Sequence, residues 1–85
     1  MTGEIYTMNS FRVVDAETKG EVTITRDTQY NNINASKVLI EEEVTARLYG
    51  TVTEKVILKK GSRLYLHGAI LGEIENEGGE LYLFK

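Results

Sequence analysis

Between Lys37 and Phe84 the chain repeats itself about every 18 residues, and few folds accommodate such an echo. KVLIEEEVTARLYGTVTE runs from Lys37 to Glu54, KVILKKGSRLYLHGAILG from Lys55 to Gly72, and EIENEGGELYLFK from Glu73 to Lys85. Val38, Val56 and Ile74 fall in one column, as do Ile40 with Leu58, Leu48 with Leu66, Gly50 with Gly68, and Val52 with Ile70. The third copy is one residue short before its aromatic segment, so Leu64, Tyr65 and Leu66 match Leu81, Tyr82 and Leu83. Self-similarity at a fixed period marks stacked units, each unable to bury its apolar face alone.

Inside a repeat the apolar residues alternate. Val56, Leu58, Leu64, Leu66 and Ile70 take one side, while Ile57, Lys59, Arg63, Tyr65 and His67 take the other. A period of two predicts strands. Gly50 and Gly68 close the second strand of each repeat, and Gly61 and Gly78-Gly79 supply the bend before it. Each repeat then reads as three short strands joined by tight corners, one coil of a short all-β solenoid whose coils pair as parallel sheets around an apolar interior. The competing pattern is a small α+β domain with a helix over residues 36–49, in which Ser36 is the N-cap, Ile40, Val44 and Leu48 form one face, and Gly50 is the stop. The solenoid is preferred because the matching segment KVILKKGSRLYLHG carries Gly61 at its middle, where a helix would lose about 1 kcal/mol.

At 85 residues the chain reads as one domain. Residues 21–85 are expected to be stacked coils, with EVTIT as an imperfect early one: Val22 and Ile24 precede Val38 and Ile40 by 16 residues. Residues 1–20 suggest a hairpin or irregular coil that caps one end with Ile5, Tyr6, Met8, Phe11 and Val13. No polar cap follows ELYLF at the other end, which points to self-association there.

Charge follows the same columns. Glu41, Lys59 and Glu77 are expected to alternate in sign along the stack, with Glu42 beside Lys60 and no like charges opposed.

Composition excludes much chemistry. There is no cysteine, hence no disulfide, thiolate site or cysteine nucleophile, and there is no proline to interrupt a strand. A net charge of −3 argues against a nucleic-acid surface, and no apolar run is long enough to span a bilayer. The N-terminus lacks the marks of a signal peptide, so a cytoplasmic location is expected and Asn34-Ala35-Ser36 reads as a chance sequon. His67 is the single histidine, Ser10, Ser36 and Ser62 lie in no nucleophile context, and Gly78-Gly79 is a turn rather than a phosphate loop. Glu41-Glu42-Glu43 diverge along a strand and so do not converge on a cation. The inventory points to a protein that is not an enzyme and carries no cofactor or metal.

The columns nevertheless isolate one surface. With Leu64 and Leu66 inward, Tyr65 and His67 face outward, and one coil away lie Arg47 with Tyr49 and Tyr82 with Phe84. Arg47, Tyr65 and Tyr82 form one column, and Tyr49, His67 and Phe84 the next. Aromatic residues with arginine are enriched at protein interfaces, so this face is the candidate protein-binding site. The alternatives are cover by the first 20 residues, or a tyrosine ladder that only steadies the strands.

INASKVLIEEE, LYGTVTEKVILKKGSRLYLHGAILGEI and the closing GGELYLF resemble bactofilin-type polymer-forming domains over residues 33–84. The resemblance implies a triangular solenoid that stacks end to end as a scaffold, and it transfers no catalytic residues. The first expectation is a non-enzymatic module that grips a protein partner through the aromatic face, with a small inhibitor or toxin-immunity protein as a special case. The second is a self-assembling scaffold joined through its C-terminal coil.

Overall fold

A computed structural model describes residues 11–84. Seven strands carry the fold: β1 (Arg12–Val14), β2 (Thr18–Ile24), β3 (Thr28–Ile40), β4 (Thr45–Leu58), β5 (Arg63–Ile70), β6 (Glu73–Asn76) and β7 (Glu80–Phe84). Every pairing is parallel, in the order β1-β3-β4-β5-β7 with β2 beside β3 and β6 beside β4. This is a β-solenoid of about four turns. Among the described residues there is no helix, so the chain over residues 36–49 is strand, corner and strand rather than an amphipathic helix. Cross-strand partners on both sides decide that outcome, because propensity yields to the packing of neighbouring coils.

The register matches the repeat. Val22, Val38, Val56 and Ile74 stand in one column, Leu48, Leu66 and Leu83 in another, and Ala46, Leu64 and Leu81 in a third. Val38, Ile40, Leu48, Val52, Val56, Leu58, Leu64 and Leu66 are at most 1% exposed, and together with Ile24, Ile33, Ala35, Val44 and Ala46 they form the core. Each buried leucine or valine contributes roughly 1.5–3 kcal/mol over its exposed state. Two buried polar residues satisfy themselves locally: Ser62 Oγ donates to the Lys59 carbonyl at 2.7 Å, and Thr28 Oγ1 to the Arg26 carbonyl at 2.7 Å.

The corners differ from the expected three separate strands per coil. In β3 and β4 the chain bends without leaving the sheet; corners at 25–27, 41–44, 59–62 and 77–79 separate the strands of successive coils, and the last coil breaks again at 71–72. Gly50 and Gly68 therefore lie inside strands, at φ 145° and 152°. A Cβ at Gly68 would collide with the Gly50 carbonyl, and one at Gly50 with that of Ile33, so the column needs glycine in successive coils.

Residues 12–24 form a coil rather than a hairpin. β1 and β2 do not pair with each other; both lie parallel against β3, with Val22 on Val38 and Ile24 on Ile40. The expected cap residues Ile5, Tyr6 and Met8 lie outside the described residues. The charge columns need one correction, since Lys37 is opposed to Lys55. Each lysine turns to a carboxylate instead, Lys37 to Glu21 at 3.9 Å and Lys55 to Glu75 at 3.0 Å. Along the Glu41 column the signs do alternate: Lys59 binds Glu77 at 3.2 Å, and the Glu41 carboxylate also favours the charged form of Lys59.

Candidate interaction face

β4, β5 and β7 bring all six residues singled out from sequence onto one face. Arg47, Tyr65 and Tyr82 are consecutive Cα partners, as are Tyr49, His67 and Phe84. Because Leu48, Leu64 and Leu66 are fully buried, the alternate residues between them must point outward. The rings stack nearly parallel: Tyr49 on His67 at 4.4 Å between centroids and 11°, His67 on Phe84 at 4.6 Å and 13°, Tyr65 on Tyr82 at 4.9 Å and 12°. These distances follow the strand spacing of about 4.8 Å, so the sheet sets the stacking. The Arg47 guanidinium closes the lower end of its column, 5.5 Å from the Tyr65 ring centre.

Stacking along the solenoid axis decides what the face can do. Inner rings present edges and polar tips to solvent, and the last rings, Tyr82 and Phe84, are 41% and 42% exposed. Such a surface suits an edge-on protein contact better than intercalating bases, which need open ring faces. The Tyr82 hydroxyl donates to Glu80 Oε1 at 2.7 Å. That bond, with some desolvation, holds the phenol's pKa above its ordinary value.

The face is longer than the sequence columns implied. Val13 and Gln29 continue the Arg47 column, and the five positions Val13, Gln29, Arg47, Tyr65 and Tyr82 run through every coil. Phe11, Val13, Gln29 and Arg47 line an open recess of about 320 Å³ at its lower end. Beside it Gln29 Nε2 donates to Asn31 Oδ1 at 2.8 Å, and Asn31 Nδ2 donates to Asp15 Oδ1 at 2.5 Å. The 16-residue spacing between the first two coils carries the missing signal, because it sets Val13 against Gln29. β1 extends the sheet edgewise and does not lie over the aromatic columns.

The last coil shows a second feature. Ile74 and Leu83 occupy inward columns in which Val38 and Val56, and Leu48 and Leu66, are fully buried, yet they are 44% and 59% exposed. No protein-family model, curated protein or solved structure matches the chain. The coil geometry is compatible with a bactofilin-like β-helix.

Proposed function

We propose that the protein is a non-catalytic interaction module that grips a protein partner through the face formed by Arg47, Tyr49, Tyr65, His67, Tyr82 and Phe84. The supporting observation is the pair of stacked ring columns held in register by β4, β5 and β7. Rings fixed by their neighbours lose little freedom on binding, so more of the contact energy remains as affinity. His67 is packed between Tyr49 and Phe84, an arrangement that favours a contact role over acid-base catalysis. A small inhibitor or immunity protein that covers a toxin's surface is a special case of this reading. In a pull-down, Tyr65→Ser combined with Tyr82→Ser removes the partner while circular dichroism keeps its β signature; undiminished capture contradicts the proposal.

A second reading, a bactofilin-like scaffold that stacks copies through its C-terminal coil, draws support from the exposure of Ile74 and Leu83. It requires mass to grow with concentration in sedimentation, and a concentration-independent monomer excludes it.

A further inference from the structure

The edge left by β6 and β7 carries a specific chemistry. Among the described residues nothing pairs with its outer side, so a row of backbone donors and acceptors is open. Ile74 and Leu83 stand exposed in columns where Val56 and Leu66, one coil below, are fully buried. Residues 73–84 contain four glutamates and no lysine or arginine, whereas residues 55–72 contain four cations and no carboxylate. The two segments pair through Lys55–Glu75 at 3.0 Å, Lys59–Glu77 at 3.2 Å and Arg63–Glu80 at 3.5 Å. What fits over this edge is thus a basic strand with alternate apolar residues.

A second copy does not offer the same match. Stacked head to tail in register, Glu21 of the copy lands on Glu73, because both belong to the column of Lys37 and Lys55. Arg12 of the copy lands on Leu81, in the column of Thr28, Ala46 and Leu64. Stacked tail to tail, two glutamate-rich edges face each other. Like charges directly opposed on adjacent strands destabilise pairing.

We propose that the β6–β7 edge is a strand-addition site for a basic segment of a different protein, whose apolar residues cover Ile74 and Leu83 while its lysines or arginines lie over Glu73, Glu75 and Glu77. Backbone pairing gives such a complex its affinity, and the alternation of charge and apolar groups gives it specificity. The inference rests on the reading of the chain as an interaction module but uses a different surface from the aromatic face.

The probe is a labelled peptide copying residues 55–68, KVILKKGSRLYLHG, titrated into the full chain by fluorescence anisotropy. Its control has every lysine and arginine replaced by glutamate. The basic peptide binds saturably, the acidic control binds at least about tenfold more weakly, and about 1 M salt erodes the difference. Glu73→Lys weakens the basic peptide roughly fivefold, and replacing the peptide's first lysine with glutamate restores part of that loss. Glu73 is the cross-strand partner of Lys55, so Glu73→Lys opposes two cations and its fold is checked by circular dichroism. Glu73→Gln, which removes the carboxylate without adding a cation, keeps the β signature and weakens the basic peptide by a smaller factor, and unchanged affinity in Glu73→Gln also overturns the proposal. Equal binding of the two peptides, or binding of neither, overturns the proposal. So does self-association of the chain that Leu83→Lys abolishes, since a second copy is then the occupant. Tyr49→Ser with Tyr65→Ser leaves the peptide bound; loss of the peptide there assigns it to the aromatic face and overturns the edge. Failure of the peptide with the face partner retained leaves the interaction module intact.

Discussion

Glu43 stands at φ 64°, a conformation that L-residues adopt only at a cost of about 1–2 kcal/mol. The equivalent position one coil on is Gly61, at φ 75°. Glu43→Gly should therefore raise stability by about 0.5–1 kcal/mol, the relief of strain outweighing the added freedom of the unfolded chain. Chemical denaturation reads this directly, and a destabilised variant would show that the Glu43 side chain contributes more than its backbone loses. Tyr82 provides a second residue-scale test. Its bond to Glu80 moves ionisation upward, so Tyr82→Phe should remove a component that titrates above the ordinary tyrosine value of about 10 in ultraviolet absorbance. The glycine corners and the six face residues were legible as single positions, because a repeat compares each residue with its own equivalents. Glu43 was not: a non-glycine residue in a left-handed corner breaks the pattern that would reveal it.

At the level of strands, β6 is held by charge as well as by backbone pairing. Lys55 and Lys59 have raised pKa values, chiefly through hydrogen bonds to Glu75 and Glu77 respectively. Glu75 is held below the ordinary carboxylate range, first by hydrogen bonding with Glu77 and then by Lys55. A raised lysine stabilises the fold fully below the unfolded value of about 10.4 and loses that contribution as pH rises through the native value. A depressed glutamate stabilises it above about 4.3 and loses that contribution as pH falls through the native value. The thermal midpoint should accordingly be flat between these limits and fall outside them, and Lys55→Met should shallow the acid-side fall. An acid limb identical in the variant would mean that the ion pair does not anchor β6. Strand register was largely readable from the 18-residue period, including the shortened third copy, because a one-residue slip would turn the buried leucines outward. The opposition of Lys37 to Lys55 departs from the alternation of the Glu41 column, and Glu21 and Glu75, which belong to neighbouring coils, relieve it. The N-terminal coil was harder to read, since its register shifts between Gly20 and Glu21 and around Tyr30–Ile33 break the period.

For the whole molecule, burial along a column rises from the open C-terminal end toward the middle. Leu66 is fully buried and Leu83, one coil later in the same column, is 59% exposed. Leu66→Ala should cost about 2–5 kcal/mol and Leu83→Ala well under about 1.5 kcal/mol in denaturant unfolding. Similar losses would mean that the last coil is covered in solution. The solenoid was legible because repetition determines architecture; a binding partner leaves no such trace, since one surface is compatible with many. The face itself follows from stacking alone, because leucines that must turn inward leave the tyrosines between them outward. The most direct test is calorimetry of the captured partner against the native chain and against Tyr65→Ser with Tyr82→Ser. Removal of two ring anchors should weaken binding by at least about 100-fold with the β fold retained, whereas an unchanged affinity would contradict the aromatic face as the site of contact.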